Sequence, residues 1–150
     1  MKTILFIEDN KDILENLTEY MEMEGYTVLA ANTGKRGIEF AKKFTPDLII
    51  CDVLMNEMDG YEVLRILLKE DVIAGIPFVF STSLSEKIDR RESLALGADD
   101  YIVKPFELEA LLSLVETWTK AGSKRLAKSS RFQASEHVGG FLAGPKTGLF

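Results

Sequence analysis

Five short apolar runs alternate along this chain with longer segments in which apolar residues recur at helical spacing. Each run is bounded by turn residues, a pattern typical of strands buried on both faces of a parallel sheet. The segments between the runs are long enough to cross back over the sheet, and such crossovers are right-handed. The sequence therefore predicts an α/β fold, a doubly wound five-stranded parallel sheet with helices on both faces. The runs cover residues 3–7, 27–31, 48–52, 76–80 and 99–103.

Capping residues and helix breakers set the ends of the predicted helices. Asp9 or Asn10 is expected to cap the first helix, because both side chains accept hydrogen bonds from free backbone N–H groups. The third helix begins after Gly60 and is expected to end near Gly75. The fourth, over residues 86–96, has only a weak apolar stripe. Helices that bury little surface tend to be mobile, so we expect the fourth helix to be the one that moves.

Length and composition limit the chain to one folded domain. The 150 residues are 46% apolar, which is enough to bury most of the surface of one domain. No apolar run approaches the roughly eighteen residues of a membrane span, and the first run is too short for a signal peptide. The single cysteine, Cys51, lies in a predicted buried strand, which favours a reducing compartment. We therefore expect a cytoplasmic protein with no membrane segment.

Charge is unevenly distributed along the chain. Residues 1–120 carry 13 Lys and Arg against 23 Asp and Glu, whereas residues 121–150 carry five against one. An acidic body binds nucleic acid poorly, because affinity depends on neutralised phosphates, and five scattered basic residues are a weak footprint. We expect no direct nucleic-acid binding by this chain. The composition predicts a domain over residues 1–120 and a basic Gly- and Ser-rich tail or linker over residues 121–150.

Polar side chains follow four of the predicted strands at the point where each strand ends. Glu8 and Asp9 follow the first, Asp52 ends the third, Thr82 the fourth and Lys104 the fifth. Because the carboxyl ends of parallel strands share one edge of a sheet, we expect these groups to converge. Three carboxylates against one ammonium favour a bound cation, and an all-oxygen ligand set suits Mg²⁺ better than Zn²⁺.

This set of groups has the chemistry of a phosphoryl-transfer site. An aspartate can act as the nucleophile, while Lys104 and Thr82 hold two phosphoryl oxygens and Mg²⁺ takes the third. Each residue alone has an ordinary structural interpretation: Asp9 as a helix cap, Lys104 as a solvated surface cation and Thr82 as a turn hydroxyl. It is the convergence of all of them at one edge that favours a site.

Four motifs carry a resemblance to a known family: FIEDN, DLIICDVLMNEMDGYEVL, IPFVFSTS and GADDYIVKPF. Over residues 1–120 the chain resembles the receiver domain of bacterial two-component response regulators, the CheY-like family. The resemblance implies a flavodoxin-like sheet with strand order 2-1-3-4-5. It also implies site roles: Asp52 as phosphoacceptor; Glu8, Asp9, Asp52 and the backbone carbonyl of Leu54 as Mg²⁺ ligands; Thr82 and Lys104 as phosphoryl-binding residues; Thr82 and Tyr101 as switch residues; and a cis peptide between Lys104 and Pro105.

The chain departs from the family pattern after Asp52. Asn56 stands where proline is usual, and we expect it to leave the loop with more freedom, since Asn tolerates turn conformations. Leu54 and Leu84, two residues beyond Asp52 and Thr82, would flank the phosphoryl group. Neither side chain can hydrogen-bond an attacking water, so we expect slow self-dephosphorylation.

The resemblance implies a signalling switch and not an enzyme. A sensor histidine kinase or phosphotransfer protein would donate the phosphoryl group to Asp52. The surface of the fourth helix, fifth strand and fifth helix would then change and control a downstream effector or a missing output domain, with a phosphorylation-dependent homodimer left open. The alternative is a phosphatase of the haloacid-dehalogenase type, whose chemistry wants an Asp where this chain has Leu54. A binding module that never meets phosphate is a third interpretation.

Overall fold

A computed structural model describes residues 1–83 and 90–121 of the chain. Five strands form one sheet in the order β2-β1-β3-β4-β5, and every neighbouring pair is parallel. The predicted fold class and strand order are confirmed. The strands are β1 (Thr3–Ile7), β2 (Thr27–Ala31), β3 (Leu48–Asp52), β4 (Phe78–Ser83) and β5 (Asp100–Lys104).

The helices connect successive strands and lie in two layers. Asn10, not Asp9, caps α1, because its side chain accepts a hydrogen bond from the backbone N–H of Ile13 at 3.0 Å. The helices are α1 (Lys11–Met23), α2 (Gly34–Phe44), α3 (Gly60–Leu67), α4 (Asp71–Ala74), α5 (Arg90–Ala95) and α6 (Leu108–Ala121). None of the helices within the described ranges is long and apolar enough to cross a membrane.

The segment between β3 and β4 differs from the predicted single helix. Helix α3 ends at Leu67 and a separate short helix, α4, follows. The N–H groups of Lys69 and Glu70 bond to carbonyls three residues back, at 3.2 Å and 3.1 Å. Such bonds tighten the last turn of a helix and end it. Residues 84–89 and the tail from residue 122 lie outside the described residues. The start of the predicted fourth helix, at residue 86, and Leu84 are therefore among the residues that are not described.

Side chains alternate across the sheet and build one core on each face. On β1, Ile4 and Phe6 pack with apolar residues of α1 and α6, whereas Leu5 and Ile7 pack with those of α2 and α3. This is the period-2 alternation of a strand buried on both sides. Cys51 is fully buried in the second of these cores. The sheet therefore lies between two helical layers and is buried on both faces.

Three carboxylates at the amino edge of the sheet tie neighbouring elements together. Each precedes or begins a strand, and each accepts a hydrogen bond from an N–H group far away in sequence or on another element. We call them the amino-edge carboxylates. The bonds are Thr3 N–H to Asp47 Oδ2 at 2.8 Å, Phe78 N–H to Asp99 Oδ2 at 2.8 Å, and Trp118 Nε1–H to Asp100 Oδ2 at 3.1 Å.

Candidate functional site

Three acidic side chains meet at the carboxyl edge of the sheet. One carboxylate oxygen from each of Glu8, Asp9 and Asp52 lies within 4.8 Å of the others. Strands β1 and β3 are neighbours, with Ile7 paired to Cys51, so the residues that follow them emerge side by side. Glu8 and Asp52 are buried, with 4% and 6% of their surface exposed, and Asp9 is the most exposed of the three. We call this set the acidic cluster.

Lys104 brings a positive charge into the acidic cluster from β5. Its Nζ lies 2.5 Å from Glu8 Oε1 and 3.5 Å from Asp52 Oδ2. Burial by itself lowers the pKa of the Lys104 ammonium, but the hydrogen bond to Glu8 and the charge of Asp52 outweigh burial and raise that pKa above its usual value. Lys104 therefore stays a cation at neutral pH beside the Asp52 carboxylate.

The donor set of the acidic cluster fits a hard divalent cation. Among the described residues, three carboxylates against the Lys104 ammonium leave an excess of negative charge in a small volume. All the ligand atoms are oxygens, which Mg²⁺ prefers, and Mg²⁺ is usually bound by one or two carboxylates together with waters and phosphate oxygens. The cluster can therefore hold a metal ion and leave part of its coordination to other ligands.

The loop after Asp52 is drawn tightly against the end of β3. A β-carbon added to Gly60 would lie 2.4 Å from the Asp52 carbonyl oxygen, so the backbone can approach this closely only at a glycine. The Gly60 N–H donates to the Val53 carbonyl at 2.8 Å and closes the loop. Leu54 lies within this loop with 61% of its surface exposed. That the Leu54 backbone carbonyl binds the metal stays a prediction.

Thr82 and Tyr101 lie on the two strands that complete this edge. Thr82 is 1% exposed and lies on β4, one residue beyond the Ser81 that pairs with Asp52. Tyr101 is partly buried against the core that faces α2 and α3. The peptide bond between Lys104 and Pro105 is cis, the isomer that the resemblance implied.

A comparison with protein-family models matches residues 4–116 to the response regulator receiver domain. The chain belongs to this family. The receiver domain is a phosphorylation-dependent signalling switch, and it is a signalling protein, not an enzyme in the usual sense. The haloacid-dehalogenase alternative is not favoured by any of these likenesses.

Curated relatives of the receiver domain include regulators of transcription. This chain is 40% identical to the probable transcriptional regulator ycf27 of Porphyridium aerugineum, over 80% of this chain and 50% of that protein. It is 33% identical to the DNA-binding dual master transcriptional regulator RpaA of Synechocystis, over 98% of this chain and 58% of that protein. The chain thus spans about half the length of the curated relatives it matches.

Solved structures show the same fold. A putative response regulator from Chloroflexus aurantiacus superposes with a TM-score of 0.74 at 28% identity, covering 79% of this chain and 98% of that one. The chemotaxis response regulator CheY4 of Vibrio cholerae superposes with a TM-score of 0.70 at 27% identity, covering 78% and 98%.

Two features of the receiver domain's β3–α3 loop were not found from the sequence. Asp59 is the N-cap of α3 and forms a capping box with Glu62. The signal was present, since an acidic residue followed three positions later by Glu is the capping-box pattern. The second feature is a hydrogen bond from the Asn56 backbone N–H to Asp9 Oδ2 at 3.2 Å. A backbone donor leaves no signature in the identity of a side chain.

Proposed function

We propose that Asp52 is the phosphoacceptor of this receiver domain and that the acidic cluster binds Mg²⁺ for the transfer. The supporting observation is the convergence of a buried Asp52 with Lys104, at 3.5 Å, inside a cluster of three carboxylates. Glu8, Asp9 and Asp52 would hold the ion, with the Leu54 carbonyl as a further ligand. When bound, Mg²⁺ would neutralise negative charge on the phosphoryl oxygens.

The transfer is a displacement at phosphorus. A carboxylate oxygen of Asp52 attacks the phosphorus atom and forms an acyl phosphate. The bond from phosphorus to the donor's leaving atom breaks, and that atom keeps the electron pair. Lys104 remains protonated throughout, because its raised pKa keeps it a cation, and its ammonium faces the oxygens of the transferred group.

Thr82 and Tyr101 would convert the phosphoryl group into a change of surface. Phosphorylation gives Asp52 nearly two negative charges and three strong acceptor oxygens, which attract the Thr82 hydroxyl. Movement of Thr82 on β4 frees space, and Tyr101 on β5 turns inward to fill it. The surface formed by α5, β5 and α6 then repacks, and this is the two-state element that the phosphate biases.

The partners follow from the chemistry and from the relatives. The phosphoryl donor would be a sensor histidine kinase or a phosphotransfer protein. The output would lie in a downstream effector or in a domain beyond this chain, since the relatives named above are transcriptional regulators about twice its matched length. Residues 1–120 would be the receiver and residues 121–150 a basic tail or linker. A phosphorylation-dependent homodimer, the absence of direct nucleic-acid contact and a cytoplasmic location stay predictions.

The decisive experiment is labelling with a small acyl phosphate, read by intact mass. In Mg²⁺ the wild-type chain should gain one phosphoryl group and hold it, while Asp52→Asn should gain none. Wild type in a chelator serves as the metal-free control and should label far more slowly. Equal labelling of Asp52→Asn would contradict the assignment of the phosphoacceptor. Steady release of many equivalents of phosphate would instead favour the phosphatase alternative.

A further inference from the structure

The Asn56 backbone reaches into the acidic cluster from the β3–α3 loop. Its N–H donates to Asp9 Oδ2 at 3.2 Å, and Asp9 is the most exposed member of the acidic cluster. Proline has no backbone N–H, so a chain with proline at this position could not form the contact. The departure from the family pattern at Asn56 therefore adds a hydrogen-bond donor to the metal-binding edge.

The loop itself fixes the direction of this N–H. The Asn56 carbonyl accepts a hydrogen bond from the Met58 N–H at 2.8 Å, which closes a three-residue turn around Glu57. Glu57 has a φ of 68°, a left-handed conformation that is costly for a residue with a β-carbon. Such a conformation persists only where its surroundings determine it, and here the tight contact at Gly60 and the capping box of α3 do so.

A fixed donor at this point acts on the position of the Asp9 carboxylate. The three carboxylates repel one another, and an exposed carboxylate can rotate away from its neighbours into water. A hydrogen bond to a charged acceptor is stronger than one between neutral groups, and this one limits the rotamers of Asp9. It therefore keeps Asp9 oriented before a cation arrives, which reduces the ordering needed on binding.

We propose that Asn56 is a positioning residue whose backbone N–H holds the Asp9 carboxylate in place for the divalent cation. This inference rests on the proposed function, because it presupposes that the acidic cluster binds Mg²⁺. It concerns the backbone donor and not the Asn side chain, so two substitutions at the same position separate the two contributions. Asn56→Ala removes the side chain and keeps the N–H, whereas Asn56→Pro removes both.

The test is calorimetric titration of the full chain with Mg²⁺ in the absence of any phosphodonor. A net hydrogen bond of ordinary strength corresponds to a factor of roughly three to ten in affinity, so Asn56→Pro should bind Mg²⁺ about that much more weakly than Asn56→Ala. Equal affinities of the two variants, or tighter binding by Asn56→Pro, would overturn the proposal. If wild type itself binds no Mg²⁺, the proposed function fails first, and that result is distinct.

A second measurement covers the case in which Asn56→Pro distorts the loop. In ¹⁵N-labelled protein the Asn56 amide proton should shift upfield in Asp9→Ala, which removes the acceptor. Asp12→Ala, which removes an exposed carboxylate from the first turn of α1, is the matched control and should leave that resonance in place. An Asn56 amide proton that does not respond to Asp9→Ala would show that the hydrogen bond is not formed in solution.

Discussion

The two edges of the sheet use the same kind of residue in opposite ways. At the amino edge, each of the three carboxylates named above accepts a hydrogen bond from an N–H group of another element or a distant residue. At the carboxyl edge, the three members of the acidic cluster crowd together around Lys104. The first arrangement disperses negative charge onto neutral donors, and the second concentrates it around the Lys104 ammonium group.

This difference separates carboxylates that hold the fold together from those that we propose bind a cation. A buried carboxylate that is matched with N–H donors stabilises the fold, because each donor would otherwise lose its partner. Crowded carboxylates oppose folding and are retained where a cation or a transferred group needs them. The two edges should therefore respond differently to substitution and to Mg²⁺.

The largest effect is expected for Lys104→Met, which removes the ammonium between Glu8 and Asp52. Breaking a buried ion pair by removing one partner costs about 3–5 kcal/mol, and because Lys104 keeps some exposure we expect a loss of about 2–3 kcal/mol in the free energy of unfolding. Mg²⁺ should restore part of this loss, since it replaces one cation by another. Denaturation of wild type and variant, in chelator and in Mg²⁺, measures the loss of unfolding free energy and its recovery. A variant as stable as wild type in chelator would contradict the expectation.

A loss of about 1–3 kcal/mol is expected for Asp99→Ala at the amino edge, because the buried Phe78 N–H loses its acceptor. Mg²⁺ should not restore it. The matched change at the other edge, Asp52→Ala, should cost less, since it also relieves repulsion within the acidic cluster. Equal losses for the two variants would remove the distinction between the edges. Thermal melts of both variants with and without Mg²⁺ provide the measurement.

A smaller effect concerns pH. The pKa of Lys104 is raised in the folded chain, so its contribution to stability is fully present below its ordinary pKa and is lost as pH rises through the raised value. The difference in unfolding free energy between wild type and Lys104→Met should stay constant from about pH 6 to pH 9 and shrink above about pH 11. A difference that already falls between neutral pH and pH 9 would contradict this.

The smallest structural change is Leu54→Asn, at a residue that is 61% exposed in the loop beside Asp52. An amide at this position can hydrogen-bond a water near the acyl phosphate, and Leu cannot, so phosphate release should become several-fold faster. Val72→Asn, at an exposed apolar residue on α4, is the matched control and should release phosphate at the wild-type rate. An unchanged or slower rate in Leu54→Asn would exclude a screening role for the leucine.

The strands follow from local patterns, and the acidic cluster follows from those strands together with the strand order that the resemblance implied. Short apolar runs set the strands, and parallel pairing puts the residues after Ile7 and Cys51 at one edge of the sheet. The order 2-1-3-4-5 then makes β1 and β3 neighbours. The polar residues at the ends of the runs then supply the charged groups at that edge. The roles that the resemblance implied for the individual residues stay predictions.

Apart from the capping box of α3, the features that were missed depend on tertiary contacts or on the backbone. The break between α3 and α4 depends on a change of hydrogen-bond pattern near Lys69, within a stretch that remains apolar on both sides. The partners of Asp47 and Asp99 are 44 and 21 residues away, so no window of sequence contains both members of either pair. The Asn56 contact depends on Glu57 adopting a positive φ, which its residue type disfavours.

The bond between Trp118 and Asp100 gives this domain an optical probe of its own. Trp118 is the only tryptophan in the sequence, 1% exposed, and its indole bonds to the first residue of the strand that carries Tyr101 and Lys104. Indole emission depends on hydrogen bonding and on nearby charge. A shift of β5 against α6 on phosphorylation would therefore change the intrinsic fluorescence, and the rearrangement can be followed in real time without any attached dye.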